Sequence, residues 1–382
     1  TMSEVDFDMD CLLTEAVDKA RLQDFGSGDF RPGLQNLLTT YDSNHFTESS
    51  RKSLRRRMRD LLVSRLCVED AWKRHPEVLD LPISRPMFLT GLPRTGTSAL
   101  LNVLANDPAT RTLKLWEAHN PAPLTGLAPG EEDPRYLRIK QYYDNMNAKS
   151  DFKKIHYMTA DSADECIFLT NHTFQDAAYG FELFFEPYAT FYKSVERRSQ
   201  YQYHADLLRL LHWQRPADRW LLKAPSHLGH LDIIVEQHPQ CSIIITHRNP
   251  LEVIGSYSSM MMAVTPAQTQ TDPKQMGRRV LENLGAQMDH SMATRERISP
   301  ERILDVQYSD FMDDTMAVVD GMYRHLSLPY PDTTRSAIAA YVDAHPRGKH
   351  GSHDYKLEEF GLTEQQVLDR FSSYIDTYNI EV

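Results

Sequence analysis

The chain has 382 residues, of which 41% are hydrophobic and 25% are charged, and its formal net charge is −11 at pH 7. This length accommodates one large or two ordinary globular domains, and the hydrophobic share is enough for a sizeable core. An acidic chain lacks the broad cationic surface that binding to a nucleic-acid backbone requires. We therefore expect any cationic cluster to be local and to serve one small anion.

The four cysteines lie far apart in the sequence and include no C-x-x-C pair; they are Cys11, Cys67, Cys166 and Cys241. This spacing predicts neither a zinc site nor a disulfide framework, and it fits a reducing compartment. The N-terminal stretch TMSEVDFDMD is acidic and has no apolar signal-peptide core, and no apolar run reaches the roughly 18 residues of a membrane span. We therefore expect a cytoplasmic protein without a membrane span.

The first part of the chain is predicted to form a helical extension, residues 1–85, that packs on the core. Apolar residues recur at helical spacing in it, most clearly at Leu54, Met58, Leu61, Leu62 and Leu66. A basic run at 51–57 invites a nucleic-acid interpretation. Because the run is short and isolated in an acidic chain, the solvated face of an amphipathic helix is the favoured interpretation.

From residue 86 onward, strand and helix patterns alternate. Strands are predicted at 87–90, 220–222, 241–246 and 302–306, and helices at 98–105, 226–237, 250–262 and 310–326. Residues 160–176 and 194–213 are further helical candidates. Such alternation predicts an α/β domain over 86–382, with a central parallel sheet flanked by helices in three layers and a helical or irregular insertion at 119–215.

A glycine loop, GLPRTGTS at 91–98, joins the first predicted strand to the following helix. Its two glycines have the spacing of a P-loop, in which backbone N–H groups and a helix N-terminus face a phosphate. Thr97 stands where a P-loop has lysine, and the cation is Arg94 instead. Phosphoryl transfer from ATP is therefore not favoured. Arginine, hydroxyl and backbone donors suit a ligand with one 5′-phosphate and one attached group.

A second motif follows the isoleucine-rich strand at 241–246. Arg248 leaves the carboxyl end of that strand, where ligands of open α/β sheets bind, and Ser256 comes eight residues later in the next predicted helix. An Arg-Asn-Pro turn alone is a weak signal, because Asn-Pro begins many helices. Downstream of the glycine loop, it predicts a second anion site.

Together, the loop Arg94-Thr95-Gly96-Thr97-Ser98 and the pair Arg248 and Ser256 resemble sulfotransferases that use 3′-phosphoadenosine 5′-phosphosulfate (PAPS). The resemblance covers about residues 86–355 and is to the bacterial small-molecule branch, which carries arginine in the first loop. It implies a P-loop-type fold in which the loop binds the 5′-phosphosulfate and Arg248 with Ser256 binds the 3′-phosphate. It also implies adenosine 3′,5′-bisphosphate (PAP) as product and no metal.

The resemblance implies roles for further residues. Lys223, at a predicted strand end, corresponds to a lysine that contacts the leaving-group side of the donor. Glu117 matches a glutamate that serves as the base for the acceptor hydroxyl, and His227 and His156 are the alternatives. The basic segment Arg347-Gly348-Lys349, within a predicted closing loop at 345–360, corresponds to a loop that meets the 3′-phosphate, although its residue order departs from the family pattern.

The predicted function is transfer of a sulfuryl group from PAPS to a hydroxyl of an unidentified small-molecule acceptor. Residues 152–192 are dense in Phe and Tyr, which fits either an apolar acceptor pocket or ordinary core packing. Two alternatives remain, an atypical P-loop kinase and a non-catalytic nucleotide-binding protein. A kinase needs a lysine after Gly96, and a binding protein has no need of Glu117, Lys223 and His227.

Overall fold

The computed structural model describes residues 5–126, 131–149, 158–176, 180–266, 269–345 and 356–382. The chain divides into two compact units. The first contains Thr1–Ile83 and Thr112–Ala217, and the second contains Ser84–Arg111 and Asp218–Val382. The predicted division into extension, main domain and insertion stays a prediction.

Helices make up most of the regular structure. The helices are α1 (Met9–Ala20), α2 (Arg31–Ser43), α3 (Glu48–Arg74), α4 (Thr97–Leu104), α5 (Leu115–His119), α6 (Pro134–Lys149), α7 (Ile167–Thr170), α8 (Tyr188–Ser194), α9 (Arg198–Gln214), α10 (Leu231–Gln237), α11 (Pro250–Val264), α12 (Pro273–Arg295), α13 (Tyr308–Asp313), α14 (Thr315–His325), α15 (Asp332–Ala344), α16 (Glu364–Arg370) and α17 (Ser372–Tyr378). The strands are β1 (Met87–Gly91), β2 (Thr110–Thr112), β3 (Arg219–Lys223), β4 (Ser242–His247) and β5 (Ile303–Gln307).

In the first unit, α3 supplies one side of the core. Leu54, Met58, Leu62 and Leu66 are four residues apart, so they share one helix face, and all are buried. The same core includes residues of α1 and α2, among them Leu12, Leu34, Leu37, Leu38 and Tyr41. The helical spacing predicted for this part of the chain is confirmed.

Aromatic residues from the Phe- and Tyr-rich segment complete this core. Phe174, Phe181 and Tyr188 are buried in it, and Phe174 packs on Phe30 with ring centroids 5.8 Å apart. For these residues the structure decides in favour of core packing.

The basic run in α3 is mostly not a solvated face. Arg51 is buried and donates to the carbonyl of Val5 at 2.8 Å, and Arg55 donates to both carboxylate oxygens of Glu15 at 2.7 and 2.8 Å. Arg57 donates to Glu182 at 2.6 Å. The solvated-face prediction was wrong for these arginines, because acceptors in the same unit surround them.

The second unit contains a five-stranded sheet in the order β2-β3-β1-β4-β5. Strand β1 is parallel to both β3 and β4, with Met87 opposite Leu221 on one side and Ser242 on the other, and β4 is parallel to β5. Every residue of β1 and β3 is buried, as expected of a parallel sheet covered on both faces. The predicted α/β fold with a central parallel sheet is confirmed.

This strand order positions the candidate site. From β1 the chain continues to β2 and β3 on one side of it, and then crosses to β4 and β5 on the other side. This change of direction creates a switch point, where α/β proteins bind ligands. The segments that follow β1, β3, β4 and β5 all leave the same edge of the sheet, since the carboxyl ends of parallel strands coincide.

Three predicted helices differ from the structure. Within 160–176 only Ile167–Thr170 is α-helical, because the backbone of Ala160, Ser162 and Asp164 bonds laterally to residues 113–116. Residues 225–230 form a 3-10 helix before α10 begins. The helix predicted at 310–326 is interrupted at Asp314, whose side chain accepts from the Ala317 N–H at 2.9 Å and thereby caps α14.

Sequence reasoning missed α12. Its start carries a visible signal, since Asp272 accepts from the Lys274 N–H at 3.0 Å as the N-cap and Pro273 occupies the first helical position. Met276, Val280, Leu284 and Met288 then recur every fourth residue and are all buried. Helical periodicity was therefore present in the sequence over this segment.

Candidate functional site

The glycine loop joins β1 to α4 and depends on its two glycines. Gly91 has φ +151°, and a Cβ there would lie 2.6 Å from the backbone oxygen of Thr246. Gly96 has φ +88°, in the left-handed region, and it is the N-cap residue of α4. Larger residues at these positions would strain the loop or push it away from the sheet.

The N-terminus of α4 opens onto this loop. Gly96 has no side chain to accept from the first-turn N–H groups, and no side-chain cap is formed in this described segment. Uncapped N–H groups and the positive end of the helix dipole favour an anion at this point. The geometry therefore fits the phosphate-binding role that the sequence predicts for the loop.

Thr95 fastens the loop to the sheet. It is only 1% exposed, its hydroxyl donates to the Leu92 carbonyl at 2.6 Å, and the same oxygen lies 2.6 Å from the hydroxyl of Thr246 in β4. The Thr95 side chain thus has a structural role. Thr97 and Ser98, in the first turn of α4, are the other hydroxyls of the prediction.

Lys223 brings a buried cation to the loop. It is the last residue of β3 and is 2% exposed, and its ammonium donates to the Ser98 hydroxyl at 3.0 Å. This contact arises because β3 is the neighbour of β1, so that the two strand ends lie side by side. Lys223 is therefore placed beside the first turn of α4, where an anion would bind.

The two predicted anion motifs contact each other directly. Arg94 Nε donates to the hydroxyl of Ser256, in α11, at 3.0 Å. Arg248 Nη1 donates to the backbone oxygen of Arg94 at 2.8 Å. Arg94 itself is exposed and has φ +67°, a backbone conformation that non-glycine residues seldom adopt. The structure thus brings together residues that are 154 positions apart in the sequence.

Three residues that were not predicted surround Arg248. Its guanidinium lies 4.2 Å from the ring centroid of Tyr308, just after β5, and its Nε donates to Glu252 at 2.7 Å. The hydroxyl of Tyr374, in α17, contacts the Arg248 backbone. Tyr308 could have been identified from the sequence, because it follows the end of a predicted strand. No comparable signal in the sequence marks Tyr374.

A hydrogen-bond network of buried His247 with half-buried Asp305 and Arg295 lies next to Arg248. His247 Nε2 is 2.9 Å from Asp305, which also accepts from Arg295 at 2.7 Å. Burial lowers the pKa of His247. Burial alone would raise the pKa of Asp305, but the hydrogen bonds from His247 and Arg295 outweigh it and lower that pKa. Near neutral pH, the end of β4 is therefore fixed by a hydrogen bond between neutral His247 and ionised Asp305.

Glu117 lies in the first unit, in the first turn of α5. It is 5% exposed, and its Oε1 accepts from Arg215 at 3.1 Å. The strand before it, β2, ends at Thr112, and α5 starts at Leu115. Glu117 is consequently an enclosed helical carboxylate with a cationic partner.

The remaining predicted residues have different environments. His227 lies in the 3-10 helix after β3, is buried, and packs edge-on against Phe88 with centroids 5.3 Å apart. His156 and the segment Arg347-Gly348-Lys349 lie outside the described residues.

In the part of the chain that is described, no helix has the length and apolar character needed to cross a membrane.

Comparison with known proteins identifies the family. A family model described as "Sulfotransferase family" matches residues 86–332. The chain belongs to the sulfotransferase family. The resemblance seen in the sequence is thereby confirmed at the level of the family.

Solved structures of sulfotransferases resemble this one along nearly the whole chain. Sulfotransferase STF9 from Mycobacterium avium is 27% identical, with a TM-score of 0.90 over 100% of this chain and 99% of that one. Sulfotransferase STF1 from Mycobacterium tuberculosis H37Rv is 30% identical, with a TM-score of 0.82 over 97% and 100%.

A curated relative is matched over a shorter region. The omega-hydroxy-beta-dihydromenaquinone-9 sulfotransferase Stf3 of Mycobacterium bovis is 23% identical over 161 residues. The match spans 40% of this chain and 40% of that relative.

Proposed function

We propose that this sulfotransferase-family chain transfers the sulfuryl group of PAPS to a hydroxyl of a small-molecule acceptor. The observation that carries the proposal is the direct contact between the two anion motifs, from Arg94 to Ser256 and from Arg248 to the Arg94 backbone. A nucleotide with both a 5′-phosphosulfate and a 3′-phosphate is a ligand that uses two adjacent anion sites.

The charges at the sheet edge support a donor with two anionic groups. Arg94, Lys223 and Arg248 contribute three cations, and the uncapped N-terminus of α4 adds a partial positive charge. Glu252 is the carboxylate paired with Arg248, and it is exposed. In this proposal the loop, Lys223 and Arg94 bind the 5′ group, and Arg248 with Ser256 binds the 3′-phosphate.

The proposed reaction is an in-line transfer. The acceptor oxygen forms a bond to sulfur while the bond from sulfur to the bridging oxygen breaks, and PAP leaves with the extra negative charge. Lys223 and Arg94 stabilise that charge as fixed donors, which is the main device available for such transfers. We propose a metal-independent reaction, since Thr97 stands in place of the P-loop lysine and β4 ends at His247, with Arg248 next, rather than at an acidic residue.

Glu117 is the proposed base for the proton of the acceptor hydroxyl. Its carboxylate is enclosed, and one oxygen accepts a hydrogen bond from Arg215. A carboxylate oxygen is the kind of acceptor that a general base uses. His227 stays the alternative, as a buried imidazole within the 3-10 helix that follows Lys223. Substitution of each residue separates the two assignments.

We propose a hydrophobic alcohol as acceptor. The helix that carries Glu117 belongs to an apolar cluster that contains Leu115, Ile139, Tyr143, Met158 and Ala160, with Trp116 and Phe168 packed against it. The name of the Stf3 relative describes an acceptor of this chemical kind, a hydroxylated menaquinone. Apolar surroundings of the helix that carries the base would favour such a molecule over a sugar.

The experiment is a transfer assay with sulfur-labelled PAPS against hydroxylated lipids, sterols, phenols and sugars. We expect transfer to a hydrophobic alcohol. Glu117→Gln should abolish transfer and leave PAP binding intact, whereas Glu77→Gln, at an exposed site, should change neither. Loss of transfer in His227→Asn alone would move the base to His227. Failure of the unmodified protein to bind PAP or to transfer from PAPS would overturn the proposal.

A further inference from the structure

The C-terminal helix α17 reaches the turn that carries Arg248. The Tyr374 hydroxyl accepts from the Arg248 N–H at 3.2 Å and donates to the Arg248 carbonyl oxygen at 3.3 Å. Tyr374 is 1% exposed. One buried hydroxyl therefore serves both backbone polar groups of a single residue.

These backbone groups lie where regular structure offers them no partner. Strand β4 ends at His247 and α11 begins at Pro250, so Arg248 lies outside both the sheet ladder and the helix. The next residue, Asn249, uses its side chain to cap α11 by accepting from the Leu251 N–H at 2.9 Å. Since buried backbone groups need partners, the Tyr374 hydroxyl replaces the bonds that the strand and the helix would otherwise supply.

Helix α17 is itself firmly attached beside β4 and β5. The ring of Tyr378 stacks on His247 with centroids 4.1 Å apart, and Gln307 donates to the Tyr378 carbonyl oxygen at 2.8 Å. Phe371, at the start of the helix, is buried. A hydroxyl on this helix can therefore hold the Arg248 backbone in one position.

We propose that Tyr374 is a positioning residue of the donor site, which sets the backbone at Arg248 and through it the direction of the guanidinium toward the 3′-phosphate. This inference rests on the proposed function. Tyr374 acts through Arg248 and makes no contact of its own with the donor. Its contribution to binding therefore depends on whether the nucleotide carries a 3′-phosphate.

The test is calorimetric titration of Tyr374→Phe with PAP and with AMP, which lacks the 3′-phosphate. We expect the PAP affinity to fall about tenfold, the scale of a lost buried hydrogen bond, and the AMP affinity to stay within about twofold. Tyr330→Phe is the matched control, because it removes a tyrosine hydroxyl that donates to Asp320 at 2.8 Å, and it should leave both affinities unchanged.

A double variant tests whether Tyr374 affects PAP binding through Arg248. In the background of Arg248→Ala, adding Tyr374→Phe should weaken PAP no further, since the guanidinium that Tyr374 positions is gone. An additive loss would overturn the inference, and so would an equal loss of PAP and AMP affinity or an unchanged PAP affinity in Tyr374→Phe. If the unmodified protein does not bind PAP, the proposed function fails instead.

A second replacement covers the case in which Tyr374→Phe lowers the folded fraction. 4-Aminophenylalanine at position 374 restores a polar group that can donate to the Arg248 carbonyl. We expect it to recover most of the PAP affinity relative to AMP. Recovery of thermal stability without recovery of the PAP preference would assign Tyr374 a purely structural role and overturn the inference.

Discussion

Two groups of arginines in this molecule differ in what they contact. In α3, Arg51, Arg55 and Arg57 bind carboxylates or backbone oxygens of their own unit. At the sheet edge, Arg94 and Arg248 contact a serine hydroxyl, a backbone oxygen and the exposed Glu252. The arginines of the contiguous basic run are thus bound by groups of their own unit. Arg94 and Arg248, which are far apart in the sequence, instead lie beside the uncapped N-terminus of α4.

The comparison shows that the density of charge in a sequence is a poor guide to anion binding. Arg57 is held by Glu182, a fully buried carboxylate that also accepts from Tyr41 at 2.8 Å. Arg248 instead follows a parallel strand, where the fold leaves donors exposed to a ligand. We therefore expect changes in α3 to alter stability and changes at the sheet edge to alter binding.

The largest effect is expected for Arg57→Ala. It removes the cation from buried Glu182, so the free energy of unfolding should fall by about 3–5 kcal/mol, while the PAP affinity of the folded protein stays constant. Urea unfolding measures the loss, and Arg56→Ala, at the exposed neighbouring position, is the control. A decrease of less than about 1 kcal/mol in the free energy of unfolding would show that Arg57 is not needed to compensate the buried charge of Glu182.

Two histidines of the first unit, His119 and His172, should lower the free energy of unfolding as the pH falls. Burial lowers the pKa of His119 and His172 to about 4. Since the unfolded chain, with a histidine pKa of about 6.5, binds these protons more readily, stability should be complete above that pH and fall as the pH drops toward 4. The loss should reach on the order of 3 kcal/mol for each histidine.

Urea midpoints between pH 7.5 and pH 4.5 measure this dependence. His119→Gln should flatten the curve, and His45→Gln, at an exposed site, should leave it unchanged. An identical pH dependence in His119→Gln and the unmodified protein would contradict the assignment.

A smaller effect, on binding alone, is expected for Arg248→Ala. Loss of charge-assisted hydrogen bonds to the 3′-phosphate should weaken PAP about 100-fold. Adenosine 5′-phosphosulfate, which has no 3′-phosphate, should bind almost as before. Calorimetry with both nucleotides checks this, and equal weakening of the two would show that Arg248 does not read the 3′-phosphate.

The smallest effect is expected for Glu252→Gln. This carboxylate competes with a phosphate for Arg248, so its neutralisation should strengthen PAP binding, by about threefold because the pair is exposed to solvent. Glu282→Gln, at an exposed position on α12, serves as the control in the same titration. Weaker binding in Glu252→Gln would instead mean that Glu252 orients the guanidinium for the ligand.

Local patterns predicted β1, β3, β4 and β5 and the two anion motifs. The isoleucines of β4 and the spacing of Gly91 and Gly96 are signals of this kind. They can be read from the sequence because a buried strand and a positive backbone φ angle each restrict the residue type at the position itself and at its near neighbours. The parallel arrangement then follows from the alternation of strands and helices. Contacts between strand ends, such as that of Lys223 with Ser98, follow in turn from the strand order.

Other features depend on distant partners and carry no local signal. Tyr374 meets Arg248 across 126 positions, and the segment at 160–164 bonds to residues 113–116 instead of forming a helix. The internal role of the Thr95 hydroxyl likewise depends on Thr246 of another strand. Such roles are determined by tertiary packing, which overrides the propensity of the segment itself.

Calorimetric titration of the unmodified protein with PAP and, separately, with ATP and Mg²⁺ tests the proposed donor site most directly. We expect PAP to bind with a higher affinity than ATP with Mg²⁺, because the 3′-phosphate would be bound by Arg248 and Ser256 in the proposed donor site. Tight binding of ATP with Mg²⁺ and no binding of PAP would contradict it.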